Sequence, residues 1–327
     1  MDALLATMDS VRAALIINPS SRVADTALTE VTAASERHGW QSPLVLPTTV
    51  DQPGQRQADQ ALAAGVDRLV VAGGDGTVRR VAGVLAATSG EAAMTPIGVM
   101  PIGSANLVAR NLGLPPHRLD KAADMALLCQ PQPLSVGWVR CLVDGSWLDE
   151  VPMLVMAGIG RDAQAIANTR ESLKRWAGWL AYAESGVHQA LRRSIPLTMS
   201  LDDGSAVDIE AWSVLIAALP RLPMGILAFP DLRLGDDAFQ VMQVALRHPL
   251  QWAAVAMKGL AHQQKPVEAL RYDRAQRVLV MLSEPSPIQV DGDLISDVEQ
   301  VSVRLQAGAV RVASPVAALT ADANAQP

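Results

Sequence analysis

Three glycines within four positions, in Gly73-Gly74-Asp75-Gly76-Thr77, are the feature of this sequence with the clearest chemistry. A short apolar strand is predicted before them, and an amphipathic helix, Val78–Ala86, is predicted after them. Glycine tolerates positive φ, so the backbone N–H groups of such a loop can close around an anion. The helix start adds donors and the positive end of its dipole, and Thr77 is expected to cap it. The segment therefore predicts a phosphate site; a tight turn that needs glycine for geometry alone is the alternative.

A second loop of similar character is Pro101-Ile102-Gly103-Ser104-Ala105-Asn106. It follows another predicted strand, Ile97–Met100, and precedes a short predicted helix, Leu107–Asn111. Loops that follow parallel strands lie at the same edge of a sheet, where ligands bind in such folds. The two loops are therefore expected to hold one nucleotide from two sides.

The elements around these loops predict an α/β fold in two parts. In residues 1–133, short apolar strands alternate with helical patterns, which indicates a Rossmann-like nucleotide-binding domain with a parallel sheet. The residues beyond carry hairpin signals between apolar runs, at Asp144-Gly145, Asp202-Asp203-Gly204 and Asp291-Gly292, and two helices, Ser172–Leu191 and Pro249–Gln263. We therefore expect a β-rich, sandwich-like domain at 134–316 and a disordered tail at 317–327.

The composition limits the kinds of partner. The 327 residues are 50% hydrophobic, with 27 Lys and Arg against 33 Asp and Glu, for a net charge of −6. This balance excludes general disorder and argues against nucleic acid, because phosphate backbones require a basic footprint. The two cysteines, Cys129 and Cys141, are too few for a disulfide framework, and free thiols are expected. The longest uncharged stretch, Ala92–Ala109, is broken by prolines and glycines, so a cytoplasmic protein without a membrane span is expected.

The two glycine loops, with Ala109-Arg110 after the second, resemble the diacylglycerol kinase catalytic family. That family includes bacterial lipid kinases and sphingosine kinases and is distantly related to NAD kinases. The likeness covers nearly the whole chain, because further segments resemble the family's motifs: Asn18-Pro19-Ser20, Thr48-Thr49 with Gly54, Gly158-Ile159-Gly160-Arg161-Asp162-Ala163, Lys174–Tyr182 and Val290-Asp291-Gly292-Asp293.

The resemblance implies roles for single residues. ATP phosphates would lie against Gly73–Thr77, with Asn18, Thr48 and Ser104 as further nucleotide contacts beside Gly103 and Asn106. Asp162 would hold the lipid head group, as in the sphingosine kinase branch. In the C-terminal motif, Asp291 and Asp293 would be the catalytic residues, and Asp293 would accept the proton of the lipid hydroxyl.

The resemblance also implies a structural Mg²⁺ site in the segment Leu234-Gly235-Asp236-Asp237-Ala238-Phe239. Asp237 would be the side-chain ligand, with the backbone carbonyls of Leu234 and Phe239. Oxygen-only ligation of this kind suits Mg²⁺.

Several positions depart from the family's pattern. After the first glycine loop, Arg79 and Arg80 stand where Asn and Glu are common, and Leu107 stands where Asp follows Asn106. Ala238 replaces the glycine of the metal segment. Asp293 replaces Glu, which keeps the carboxylate but shortens its reach by one methylene.

The segment 161–193 combines six basic residues and three acidic ones with Trp176, Trp179 and Tyr182 at helical spacing. A basic helix with such aromatics can lie on an anionic membrane. A core helix with a solvated basic face is the alternative.

Taken together, the motifs predict an ATP-dependent lipid kinase that uses Mg²⁺ and phosphorylates a diacylglycerol-like or sphingoid lipid. Two alternatives remain: a soluble kinase of the NAD-kinase type, and a non-catalytic nucleotide- or lipid-binding regulator. The sequence carries no signal for the oligomeric state or for the lipid that is phosphorylated.

Overall fold

The computed structural model describes residues 11–160, 163, 194–222, 226–245 and 269–316. The chain divides into two compact units. The first unit runs to Leu134 and includes the segment from Ala309 onward, whereas the second is Ser135–Gly308. The C-terminal segment belongs to the first unit because Val312 pairs with Ile97 in a parallel strand. The second domain expected from the sequence, at 134–316, therefore ends later in the chain than the second unit, which ends at Gly308.

The sheet of the first unit consists of parallel strands in the order β4-β3-β1-β2, and the end of β15 (Asp293–Ala313) lies beside β4. Every residue of β1, β3 and β4 is buried, because helices cover both faces of a parallel sheet and apolar side chains fill both. The predicted parallel α/β arrangement is confirmed. The strand bounds are β1 Ala13–Ile17, β2 Leu44–Pro47, β3 Arg68–Gly73 and β4 Ile97–Pro101.

Helices connect the strands of this unit. One of them, α5, is not predicted from the sequence, because Arg118 precedes it in place of a capping Ser, Thr, Asn or Asp. It packs closely on β4, where a Cβ on Gly98 would collide with the backbone carbonyl of Ala126. The bounds are α1 Ala24–Arg37, α2 Gln55–Ala63, α3 Asp75–Ala87, a 3₁₀ turn Glu91–Met94, α4 Leu107–Asn111 and α5 Leu119–Leu128.

The second unit is strand-rich and mainly antiparallel, as predicted. Its central strands follow the order β13-β12-β11-β8-β14-β15, while β9 pairs with both β14 and β10, and β5 pairs with β6, β7 and β15. A buried apolar cluster that includes Ile159, Phe239 and Val290 forms its core. The strand bounds are β5 Pro131–Val143, β6 Ser146–Trp147, β7 Val151–Met153, β8 Met156–Gly160, β9 Ile195–Leu201, β10 Val207–Ala211, β11 Ser213–Ala217, β12 Phe239–Val244, β13 Leu270–Ala275, β14 Arg277–Val290 and β15 Asp293–Ala313.

The three predicted hairpin turns are present in this unit. Asp144-Gly145 joins β5 to β6, Asp202-Asp203 lies between β9 and β10, and Asp291-Gly292 joins β14 to β15. Both central residues of each turn have positive φ, between 48° and 90°. This is the geometry of a type I′ turn, whose twist matches that of the two strands it joins.

The predicted helices Ser172–Leu191 and Pro249–Gln263 and the predicted disordered tail lie outside the described residues. Within the described ranges, no helix is both long enough and apolar enough to cross a bilayer.

Candidate active site

The predicted nucleotide contacts of the first unit follow four neighbouring parallel strands. Asn18 follows β1, Thr48 follows β2, Gly73–Thr77 follows β3 and Gly103–Asn106 follows β4. Register pairs at the strand ends, such as Ile17 with Ala72, keep the carboxyl ends of these strands level. The fold therefore brings all ten predicted nucleotide-contacting residues to one edge of one sheet.

The two glycine loops touch each other. A Cβ on Gly103 would collide with Cα of Gly74 and would come within 2.9 Å of Oδ1 of Asn106. Gly73 is equally confined, because a Cβ there would lie 2.7 Å from Cβ of Thr77. Glycine is required at Gly103 because two backbones pass at a distance that leaves no space for a side chain. At Gly73 it is required because the side chain of Thr77 occupies the place of a Cβ.

Asp75 joins the first loop to the helix that follows the second loop. Its Oδ1 accepts a hydrogen bond of 2.9 Å from the backbone N–H of Val108, in the first turn of α4. Asn106 organises the second loop from within: its Oδ1 accepts from the N–H of Gly103 at 2.9 Å, and its Nδ2 donates to the Gly103 carbonyl at 2.7 Å. Both side chains therefore hold the two loops in a fixed shape.

Asn18 and Thr48 lie in the loops that follow β1 and β2. The N–H of Asn18 donates to the carbonyl of Ala72, and its Oδ1 accepts from the N–H of Ser20 at 3.0 Å. Thr48 is buried, and its N–H donates to the carbonyl of Ile17. Both residues thus continue the hydrogen bonding of the sheet into the loops.

The start of α3 differs from the prediction. Gly74 is its N-cap residue and Thr77 is its third residue, buried within the first turn, so Thr77 does not cap the helix. The helix begins earlier than its apolar pattern because Asp75 and Gly76 are already helical. Helical N–H groups thus begin at Asp75, inside the glycine loop.

Two arginines contact the loops. Arg80 folds back along α3, and its Nη1 donates to the Gly76 carbonyl at 3.2 Å. A Cβ on Gly76 would lie 3.1 Å from the same nitrogen, so the missing side chain makes room for the guanidinium. In the second loop, Nε of Arg110 donates to the carbonyl of Ala105 at 3.1 Å. The loops therefore combine close backbone packing with positive charge, a combination that suits a polyphosphate.

Sequence reasoning missed one contact that ties these loops together. The hydroxyl of Ser21 donates to the carbonyl of Ile102 at 2.8 Å, which links the loop after β1 to the loop after β4. The resemblance covers the neighbouring Asn18-Pro19-Ser20, but a serine in a polar turn carries no signal for a partner so distant in the sequence.

In the second unit, Asp291 accepts hydrogen bonds from three consecutive backbone N–H groups. Its Oδ2 accepts from Leu154 at 2.8 Å, and its Oδ1 accepts from Val155 and from Met156, both at 2.9 Å. The N–H of Asp291 in turn donates to the Met156 carbonyl at 2.9 Å. This carboxylate joins the hairpin turn to the start of β8.

Asp293 begins β15, opposite Val290 in the register, and its side chain is exposed. It lies two residues from Asp291 on the other side of Gly292, and the N–H of that glycine donates to Oε1 of Gln289 at 2.9 Å. The two predicted acids therefore differ in their surroundings, since Asp291 accepts three backbone N–H groups and Asp293 is exposed.

The predicted metal residues Leu234 and Asp237 lie in the loop before β12, and Phe239 is the first residue of that strand. The side chain of Asp237 is 78% exposed, and Nη2 of Arg274 lies 3.6 Å from its Oδ1. The described residues contain no group of three or more His, Cys, Asp or Glu placed to hold a metal. A cation on Asp237 would share its carboxylate with the guanidinium, so these residues fit Mg²⁺ poorly.

The predicted head-group residue Asp162 lies outside the described residues. The same holds for the predicted membrane-contacting segment 161–193, except for Ala163. Their roles remain predictions.

Comparisons with known proteins agree with this architecture. Residues 12–139 match the family model of the diacylglycerol kinase catalytic domain. The chain is 27% identical to a diacylglycerol kinase of Bacillus subtilis over 285 residues, which cover 86% of this chain and 89% of that protein. It is 37% identical over 155 residues to a Pseudomonas aeruginosa protein named "Probable lipid kinase YegS-like", and the aligned part covers 47% of this chain and 46% of that one.

Solved structures share the fold. A diacylglycerol kinase crystal structure from Bacillus anthracis superposes with a TM-score of 0.74 at 21% identity, over 94% of this chain and 98% of that one. Yeast NADH kinase in complex with NADH superposes with a TM-score of 0.51 at 10% identity, over 94% of this chain and 85% of that one. The predicted fold class is confirmed. Residues 12–139, with the glycine loops at the sheet edge, match the diacylglycerol kinase catalytic domain, and the protein is a kinase.

Proposed function

We propose that this kinase is ATP-dependent and transfers the γ-phosphate to a hydroxyl group of a diacylglycerol-like or sphingoid lipid. The observation that carries the proposal is the contact between Gly74 and Gly103, which joins two glycine loops at the carboxyl edge of a parallel sheet. The names of the relatives in Bacillus subtilis and Pseudomonas aeruginosa support a lipid as the acceptor.

The nucleotide phosphates would lie against the first turn of α3. Backbone N–H groups there attract anions, and the Arg80 guanidinium adds a positive charge beside Gly76. When Mg²⁺ is bound to the nucleotide, it neutralises charge on the phosphates. The loops themselves would position the phosphates, because Asp75 and Asn106 hold their backbones in place.

Asp293 would act as the general base. In the transfer, the lipid hydroxyl oxygen forms a bond to the γ-phosphorus, the bond from that phosphorus to the bridging oxygen of ADP breaks, and the hydroxyl proton moves to Asp293. Asp291 is a positioning residue in this proposal, because both of its oxygens already accept backbone N–H groups. Asp293 is the more exposed of the two acids, so a substrate can reach it.

The test is incubation of the full chain with radiolabelled ATP, Mg²⁺ and a total lipid extract, followed by chromatography. We expect label in a lipid product, and an Asp293→Asn variant with turnover lower by about 10²–10⁴-fold. The matched control is Asp297→Asn, an exposed aspartate on the same strand, which should retain activity. Full activity of Asp293→Asn would remove that residue from the mechanism.

A second candidate is phosphorylation of NAD(H), which the fold shared with yeast NADH kinase favours. The same incubation with NAD and with NADH in place of lipid distinguishes the two acceptors. Label in the dinucleotide alone would overturn the lipid proposal. Nucleotide binding without transfer to any acceptor would instead favour the regulator that the departures at Arg80, Leu107 and Ala238 suggest.

A further inference from the structure

The loop that precedes β12 holds two adjacent carboxylates, Asp236 and Asp237, and one guanidinium lies against both. Nη1 of Arg274, on β13, is 3.5 Å from Oδ2 of Asp236, and its Nη2 is 3.6 Å from Oδ1 of Asp237. Register places Arg274 opposite Gln240, the second residue of β12. The strand pairing of β12 with β13 therefore carries a fixed positive charge to the two acids.

The rest of the loop is held by the protein's own groups. Oδ2 of Asp236 accepts the N–H of Arg233 at 3.0 Å, while the N–H of Asp236 donates to the Arg233 carbonyl. The Asp236 carbonyl accepts the hydroxyl of Ser135 at 2.6 Å, and Nη1 of Arg233 donates to the Pro230 carbonyl at 2.6 Å. One carboxylate is thus committed to the turn itself and is unsuited to binding a metal ion.

A divalent cation would have to displace the arginine. Mg²⁺ prefers six oxygens at about 2.0–2.1 Å in octahedral geometry. Asp236 is hydrogen-bonded within the turn, so Asp237 is the carboxylate that could act as a ligand. It already has the guanidinium of Arg274 as its counter-charge. A metal ion at that oxygen would lie close to the guanidinium, and the repulsion between the two positive charges is unfavourable.

We propose that Arg274 takes the place of a bound cation in this loop, so that the second unit folds without a resident divalent metal. In this protein, Mg²⁺ would then be required with the nucleotide alone. The guanidinium supplies the charge that two adjacent carboxylates need, and its planar fork reaches both of them.

Binding of Mn²⁺ to the nucleotide-free full chain, followed by electron paramagnetic resonance of the free ion, tests the proposal. We expect that Asp237→Asn as a single substitution does not change the affinity of the protein for Mn²⁺. Arg274→Gln should gain a site whose affinity for Mn²⁺ is at least about 10-fold higher than that of the unsubstituted protein. When Asp237→Asn is added to this variant, the site should be lost. Arg274→Lys keeps the charge and should gain nothing. Arg271→Gln, on the same strand, is the matched control and should also gain nothing.

Two outcomes would overturn the proposal. One is a Mn²⁺ site in the unsubstituted protein that Asp237→Asn abolishes, and this comparison holds even if Arg274→Gln fails to fold. The other is an Arg274→Gln variant that folds and gains no Mn²⁺ site. Since the measurement uses neither nucleotide nor lipid, its result is independent of whether the protein is a lipid kinase. A melting temperature lowered by about 1–3 °C in Arg274→Gln would agree with the loss of an exposed ion pair.

Discussion

Gly103 lies directly against Gly74, so that a Cβ on Gly103 would collide with Cα of Gly74. The first belongs to the loop after β4 and the second to the loop after β3, and these strands are neighbours in the sheet. The contact makes the two loops one continuous surface of backbone. A side chain added at Gly103 has to separate the loops before it can be accommodated.

Substitution of Gly103 by Ala is expected to weaken nucleotide binding by at least about 10-fold. The new methyl group would collide with Gly74 and come within 2.9 Å of Oδ1 of Asn106, so both loops must move. Titration of the variant with a fluorescent ATP analogue measures the effect.

Gly39→Ala is the control for this prediction. Gly39 has φ +72° but open space around its Cα, so Ala there costs about 1 kcal/mol in backbone strain and leaves the loops untouched. Equal affinity of the Gly103→Ala and Gly39→Ala variants would show that the contact between the loops is unimportant for binding.

Asp75 is expected to stabilise the fold through its acceptor oxygen. Asp75→Ala would leave the buried N–H of Val108 without its side-chain acceptor, at a cost of about 1–3 kcal/mol in the free energy of unfolding. Asp75→Asn retains an oxygen in that place and should lose much less. Urea denaturation of the two variants measures the difference, and equal midpoints would contradict the assignment.

Asp291 is expected to be required for stability more than for chemistry. Asp291→Ala removes the acceptor of three N–H groups and should lower the free energy of unfolding by about 3 kcal/mol or more. Asp291→Asn should also destabilise, because its NH₂ group would face either Leu154 or the pair Val155 and Met156 with a second donor. Thermal unfolding of both variants, with Asp293→Asn as the matched comparison, tests this.

The opposite pattern would contradict that assignment. Suppose that Asp291→Asn has the same melting temperature as the unsubstituted protein while that of Asp293→Asn is lower. The structural role then belongs to Asp293, and Asp291 becomes the candidate base.

Both cysteine thiols are expected to react slowly. Burial raises the pKa of Cys141 to about 11, and burial also raises that of Cys129, against an opposing effect of the nearby Arg68. At pH 8 a thiol of pKa 11 is ionised to about one part in a thousand, and the thiolate is the reactive form. A Cys129→Ala variant, in which Cys141 is the single thiol, should therefore take up a maleimide only after denaturation. Labelling of the folded variant at the rate of a small-molecule thiol would contradict this.

Several features of the fold could be predicted because their cause is local. The turns Asp144-Gly145 and Asp291-Gly292 need positive φ at adjacent residues, and Asp-Gly provides it wherever the surrounding strands occur. The alternation of short apolar runs with helical patterns likewise indicates a parallel sheet from neighbouring residues alone. Helix α5 was missed for the same reason, since Arg118 gives no local capping signal and its packing on Gly98 involves a distant strand.

The sequence alone determined the glycine loops, their order after parallel strands and the acids of the Asp-Gly turn, because each depends on residues a few positions apart. Tertiary structure alone decided how these acids differ. Asp75 accepts the N–H of Val108, 33 positions away, and Asp291 accepts that of Leu154, 137 positions away. Asp237 instead lies beside the guanidinium of Arg274. A carboxylate has the same composition whether it binds backbone donors, a guanidinium or solvent. Its role is settled by the groups that folding brings to it, and those groups are distant in the chain.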